Sequence, residues 1–306
     1  MKRLSFINTS NDLQATVVDI DDNEWLKISA INQKYIVLVI SVTINECSSV
    51  RVFDRESGVR FDELSSCLPF RKVHSANFHP SRDHLLFVLN NGLLTLCDLE
   101  KHVLIKTFTY LMGLSRCLQL QYDESDSSLQ MYYLRDYSSI IYFVVMDKNF
   151  KQCSSEEFYC SDRISRFLIF RKTFVATLSY VNMFEVWNLL TNEKLHSTKI
   201  SETPSFGDCF VPSTQYIIYC LGHKILVFSD STFDLLTEIE FSTESNTTFI
   251  DTVYVSNDDA DILILHQESL EGFDVCNLKT GAKEFKPFLA KNADSFRIYQ
   301  GWVSQS

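Results

Sequence analysis

Seven histidines are the first residues whose chemistry this chain could use: His74, His79, His84, His102, His196, His223 and His266. None stands in the i, i+4 spacing that sets two imidazoles on one helix face around a metal. His74 and His79 bracket an expected strand, and His79 and His84 flank a turn, so turn residues are the simpler reading. Carboxylates cluster in Asp19-Ile20-Asp21-Asp22-Asn23-Glu24 and in Asp258-Asp259-Ala260-Asp261. Catalytic carboxylate pairs sit in pockets that separate their pKa values, whereas these fall in polar turns. A phosphate cradle needs a glycine-rich run such as G-x-x-x-x-G-K-S/T or G-x-G-x-x-G. The eight glycines form neither, and no G-x-S-x-G elbow occurs. Nine cysteines are scattered singly, the closest being Cys153 and Cys160, with no C-x-x-C. An odd count excludes full internal pairing, so reduced, mostly buried thiols are expected. No catalytic residue, cofactor or metal is expected.

Charge and hydropathy narrow the class. Lys and Arg number 28 against 39 Asp and Glu, a formal charge of −11 over 306 residues. Direct nucleic-acid binding, which depends on clustered cations and counterion release, is not expected. The longest strongly apolar run, Tyr35–Val42, is far shorter than the ~20 residues of a membrane-spanning helix. Residues Met1–Thr9 carry no apolar core of signal-peptide length. An intracellular protein, nuclear and/or cytoplasmic and without membrane insertion, is the expectation.

The elements that must carry these residues are strands. Short runs rich in Val, Ile, Phe and Tyr recur at Trp25–Ile31, Tyr35–Val42, Leu85–Leu89, Ile140–Val145, Phe174–Ser179, Tyr216–Leu221 and Ile262–Leu265, separated by Ser, Asn and Asp. No longer stretch shows a convincing 3.6-residue period. Val103–Gly113 could pass for a helix, but Val103, Ile105, Thr107, Phe108 and Tyr110 favour a strand.

One pattern repeats: an apolar strand, then Asp, Asn or Ser, then a short polar turn. It reads Val50-Arg51-Val52-Phe53-Asp54, Leu94-Thr95-Leu96-Cys97-Asp98, Phe143-Val144-Val145-Met146-Asp147, Phe184-Glu185-Val186-Trp187-Asn188, Ile225-Leu226-Val227-Phe228-Ser229 and Phe273-Asp274-Val275-Cys276-Asn277. Anchored on Phe53, Cys97, Met146, Trp187, Phe228 and Cys276, the steps are 44, 49, 41, 41 and 48 residues. A mean of about 45 suits a four-stranded antiparallel unit that buries its two apolar faces by radial stacking. In the second unit the four strands read as Val73–Phe78, Leu85–Leu89, Leu93–Cys97 and Val103–Tyr110.

The segments Val73 through Phe78-His79-Pro80-Ser81 to Leu85-Leu86, and Asn91-Gly92 to Leu96-Cys97-Asp98, resemble the WD40 repeat. Phe184-Glu185-Val186-Trp187-Asn188 with Thr191-Asn192, and Thr280-Gly281-Ala282-Lys283, resemble its third-to-fourth-strand segment. The usual Gly-His opening is missing, and the one Gly222-His223 falls in a second-to-third-strand hairpin. The resemblance implies an all-β fold, a single WD40-like β-propeller of seven blades, with six as the alternative. The repeat units are 25–66, 67–112, 113–160, 161–202, 203–244 and 245–289. Residues 1–24 and 290–306 would form the closing blade, outer strands from the N-terminal end and inner strands from the C-terminal end.

The resemblance implies a non-catalytic interaction scaffold, a core subunit of an intracellular multiprotein complex. The alternatives are a hydrolase with an axial pocket, His223 being its base, and an adaptor in chromatin or RNA-processing machinery. Partner contacts are expected at Phe70-Arg71-Lys72, Tyr132, Tyr133, Tyr180 and His223, with a packed reading of the three tyrosines standing beside it. Phe70-Arg71-Lys72 is similar to part of the Phe-Arg-Arg-Gly of phosphoinositide-binding propellers, without its second Arg and Gly. Phe170-Arg171-Lys172 repeats the tripeptide between first and second strands. Trp187-Asn188-Leu189-Leu190 sits where ubiquitin-ligase receptors carry Trp-Asp-x-Arg, and its Asn and Leu weaken that role; Trp187 reads as a buried third-strand aromatic. A partner's strand could complete the seventh blade.

Overall fold

The computed structural model describes residues 2–8, 15–20, 25–41, 48–61, 73–90, 93–108, 114–135, 138–201, 209–211, 213–221, 223–241, 250–255, 261–266, 272–287 and 295–299. These residues are strand and turn throughout, without a helix. β1 (Lys2–Asn8) pairs antiparallel with β2 (Ala15–Ile20). β3 (Trp25–Ile31), β4 (Tyr35–Ser41) and β5 (Ser48–Asp54) form a three-stranded antiparallel sheet. Then come five four-stranded meanders. The first is β6 (Val73–His79), β7 (Arg82–Asn90), β8 (Leu93–Asp98) and β9 (Val103–Phe108). The second is β10 (Leu114–Asp123), β11 (Ser128–Arg135), β12 (Ile140–Met146) and β13 (Gln152–Tyr159). The third is β14 (Ile164–Phe170), β15 (Phe174–Ser179), β16 (Met183–Asn188) and β17 (Glu193–Lys199). The fourth is β18 (Cys209–Val211), β19 (Tyr216–Leu221), β20 (Lys224–Ser229) and β21 (Leu235–Glu240). The fifth is β22 (Ile250–Val255), β23 (Asp261–His266), β24 (Gly272–Asn277) and β25 (Lys283–Pro287). β26 (Ser295–Tyr299) joins the first sheet beside β1, Leu4 opposite Ser295. That pairing is parallel, unlike the meanders, and β26 is the one strand of the C-terminal segment among the described residues.

The fold is all-β, and its antiparallel sheets resemble the blades of a β-propeller. Two compact units result: residues 21–164, and residues 1–20 with 165–301. In the first, one core layer joins β4 and β5 to the β6–β9 sheet through Val37, Val39, Val52, Leu86 and Val88. A second joins that sheet to β10–β13 through Phe87, Leu96, Phe108, Met131 and Val144. In the other unit, Leu178, Phe184, Ile217 and Phe228 join β14–β17 to β18–β21, and Ile218, Val227, Val255 and Cys276 join β18–β21 to the last meander. β4, β8, β15, β16, β19 and β20 are covered on both faces, which is why they read as continuous apolar runs rather than alternating ones, whereas β12 keeps Ile140, Tyr142, Phe143 and Val145 half-buried. Ile36–Ile40 and Leu85–Leu89 are buried along their whole length. Fourth strands contribute little to these layers beyond Phe108 and Ile239, and β13 is exposed at all but Phe158.

The repeated Asp, Asn or Ser has one job in every copy: its side-chain oxygen receives backbone amides of the turn that leaves the third strand. Asp98 Oδ1 accepts from the amides of Glu100 and Lys101, both at 3.0 Å. Asp147 accepts from Asn149 and Lys151, both at 2.9 Å, and Asn188 from Leu190 and Thr191 at 2.9 and 3.3 Å. Ser229 Oγ serves Ser231 and Thr232, Asn277 serves Lys279 and Thr280, and Asp54 serves Ser57. Short polar side chains reach their own turn this way, and longer ones do not.

The same turns then place one residue in the left-handed region: Gly58, His102, Phe150, Asn192, Phe233 and Gly281, with φ between 56° and 69°. In four sheets the return strand shifts register at the anchor itself, between Leu96 and Cys97, Val145 and Met146, Val186 and Trp187, and Val227 and Phe228. A left-handed residue after a type I-like turn, closed by a bulge, is a standard way to reverse a strand with the right twist. Gly58 and Gly281 occupy that conformation without cost. Phe150 and Phe233 do so against the steric preference of L-residues, and their rings are buried or partly buried against the preceding sheet.

Replacing Asn188 by Ala should destabilise the folded chain by about 1 kcal/mol, since two turn amides lose their acceptor. Asn188→Asp, which keeps the oxygen, should stay within a few tenths of wild type. Urea unfolding of the three proteins checks both.

Candidate functional site

Phe70, Arg71 and Lys72 lie outside the described residues. Tyr132 and Tyr133 are corrected from surface to core: they are in the middle of β11, 3% and 4% exposed. β11 is a second strand covered on both faces, so neighbouring residues are buried in either direction. Tyr132 stacks on Phe143 at 4.7 Å and Tyr133 on Tyr142 at 5.1 Å, each across the strand pair with β12. Burial first, then the Glu156 charge, pushes the Tyr132 hydroxyl up to about 12. Trp187 is the expected buried third-strand aromatic, with the Lys194 ammonium 5.3 Å from its ring.

Tyr180 and His223 are carried on hairpins of neighbouring sheets. Tyr180 and Val181, both about half exposed, form the tip between β15 and β16. His223 is half-buried between β19 and β20. The two hairpins share one end of their sheets: the Ile200 amide donates to Asn182 O, and Lys224 Nζ, beside His223, lies 3.4 Å from Ser201 Oγ. Lys224 is a buried cation whose other partner is Glu238 Oε2 at 3.5 Å.

The opposite end of the sheets carries the first-to-second and third-to-fourth turns. Here a cation of one sheet reaches an anion in the next sheet's capped turn. Lys34, between β3 and β4, bonds Glu100 at 2.8 Å. Arg171, between β14 and β15, pairs with Asp230. Partners 66 and 59 residues apart give no local signal of their meeting. Arg171 and Lys172 both have positive φ, so this second Phe-Arg-Lys tripeptide is a tight turn held by an ion pair.

His79 is buried between Phe87, Tyr122 and Phe150, with ring centroids 5.3 to 6.3 Å away. Its Nδ1 receives the Ser81 amide at 3.1 Å, so the neutral ring is the one that fits. Burial first, then the charges of Arg82 and His84, lowers its pKa from 6.5 to about 4. Among the described residues, no group of three His, Cys, Asp or Glu side chains could hold a metal ion. Cys97, Cys220 and Cys276 are buried free thiols, and burial pushes Cys97 up to about 12.

The exposed apolar residues gather on fourth strands and hairpin tips. Val103, Leu104 and Ile105, consecutive on β9, are each 45–47% exposed, and Leu235 and Leu236 open β21. β9 pairs with β8 alone among the described strands. Compared with known family models and with curated proteins, the sequence matches none.

Stability should fall in two steps with acid. The unfolded chain protonates His79 near 6.5, whereas the folded chain resists until about 4. That contribution is full above 6.5 and lost as pH drops toward 4, about 3 kcal/mol in all. Asp54, Asp98 and Asp147 are held below their ordinary 3.8. For Asp54 the Ser57 hydroxyl dominates; for Asp98 burial opposes, and the Lys101 amide and ammonium outweigh it; for Asp147 the Lys151 amide leads. Their contributions exist above 3.8 and vanish below it. His79→Asn keeps an acceptor for Ser81, and its unfolding free energy should be nearly flat between pH 6.5 and 4.5.

Proposed function

We propose that this chain is a non-catalytic interaction scaffold, a core subunit of an intracellular multiprotein complex, built as a WD40-like propeller of seven blades. The observation that carries the reading is the run Val103-Leu104-Ile105. Three consecutive aliphatic side chains are exposed on a strand whose outer edge has no neighbour among the described residues. Soluble proteins commonly blunt such edges with charge, as β13 does with Glu156 and Glu157. An edge left apolar fits a surface that is covered in an assembly. The capped-turn period of about 45 residues supports the WD40-like reading. Among the described residues the sheet of β2, β1 and β26 has three strands, which supports a partner's strand as its fourth.

The chain should purify from its native source, tagged and at its natural level, with a constant stoichiometric set of proteins on size-exclusion chromatography and mass spectrometry. A lone 35.4 kDa species at moderate salt would contradict the scaffold reading. It would direct attention to hydrolase assays of His223→Ala.

A further inference from the structure

At the turn-bearing end, the junction between β6–β9 and β10–β13 has a cation where the junction between β14–β17 and β18–β21 has an anion. Between β14–β17 and β18–β21, Arg171 of the first-to-second turn meets Asp230, the second residue after the anchor Phe228. Between β6–β9 and β10–β13 the corresponding cation is Arg82, at the start of β7. The residue two after the anchor Met146 is Lys148. Arg82 Nη1 has only the Lys148 carbonyl, at 3.4 Å, and its guanidinium lies 5.6 Å from the Phe150 ring. Two more cations join it. Lys106 Nζ donates to the Phe150 carbonyl at 2.7 Å, and Lys151 stands one residue beyond. Lys148 and Lys151 are exposed, and none of the four forms an ion pair among the described residues. An acid beside them, Asp147, is occupied by the Asn149 and Lys151 amides. The charges of Lys151 and Lys106 help hold its carboxyl below the usual range. On a chain of net charge −11, this is a concentrated positive site.

Lys106 also ties the site to β9, whose exposed Val103, Leu104 and Ile105 lie immediately before it. Apolar side chains, a strand edge and an unneutralised cation cluster thus form one surface. The junction with Asp230 shows what chemistry fills such a seat, and at a third junction Lys34 also finds a carboxylate, Glu100, one position further along its turn. We propose that this surface docks an extended acidic segment of a partner protein, aliphatic residues alternating with Asp or Glu, that lies along β9. It sets a carboxylate between Arg82 and Lys148, where the sister junction has its own aspartate. This rests on the scaffold reading and gives that scaffold a specific docking surface. Bidentate capture of a carboxylate by a guanidinium and pairing to a free strand edge supply the recognition.

The test uses the full chain and a fluorescein-labelled peptide of alternating Glu and Val, followed by fluorescence anisotropy. Binding should weaken as salt rises. Lys148→Asp, which rebuilds the sister junction's ion pair inside the protein, should weaken it about tenfold or more. The melting temperature of that variant should equal or exceed wild type, so lost binding is not lost folding. Leu104→Lys should weaken binding with Arg82 and Lys148 intact. Absence of peptide binding at low salt, equal binding by Lys148→Asp, or preference for a single-stranded oligonucleotide or inorganic phosphate over the peptide would each overturn the proposal. If native partners still co-purify with Lys148→Asp as they do with wild type, the surface is wrong and the scaffold reading stands. If the wild type co-purifies with nothing, it is the scaffold reading that fails.

Discussion

A short polar side chain that closes its own turn is the interaction on which the rest of this structure depends. Each of the six repeated third strands leads into Asp, Asn or Ser, and that oxygen holds one or two backbone amides two to four positions on. The held turn forces a left-handed residue, the left-handed residue brings the bulge, and the bulge sends the chain back as an outer strand. Without the cap, the inner and outer halves of each meander have no defined register. Asp, Asn, Ser and Thr are the side chains that do this at that reach, and the six copies use three of them.

The apolar layers follow from this register. Sheets with both faces apolar have to meet other sheets, and the strands nearest the layers lose every exposed position. At the turn-bearing end, the capped turn of one sheet approaches the first turn of the preceding one, and ion pairs form where the residue types allow. The αL phenylalanines belong to the same contact. Phe150 meets His79 and Phe87, and Phe233 meets Phe170 and Phe174, so a strained backbone is offset by a buried ring. The neutral His79 at the first of these contacts couples that layer to acid.

The meander and its period were legible in the sequence because each depends on neighbouring residues. The Asp98 cap, the Val103–Phe108 strand and the burial of Trp187 follow from local pattern alone. The sequence left Tyr132 and Tyr133 open between core and surface. In a strand buried on both faces there is no alternation to separate inside from outside, and tyrosine suits either. Phe150 and Phe233 gave no signal, since the left-handed position is usually announced by Gly or Asn. The cation cluster around Lys148 depends on Arg82 and Lys106, brought close only by the stacking of two sheets. Parallel pairing of β26 with β1 likewise joins the two ends of the sequence, beyond the reach of periodicity.

Such a molecule is a frame that presents edges and turn clusters, and its proposed work lies in what those surfaces bind. The frame itself is the central claim, and amide hydrogen exchange followed by mass spectrometry tests it most directly. Slow exchange should recur every 45 residues or so, deepest over Ile36–Ile40, Leu85–Leu89 and Ile217–Leu221. Fourth strands such as Gln152–Tyr159 should exchange faster. The amides of Glu100, Lys101, Leu190 and Thr280 should be protected although they sit in exposed turns. Exchange that is uniform along the chain, or turn amides as fast as an unstructured peptide, would contradict the account.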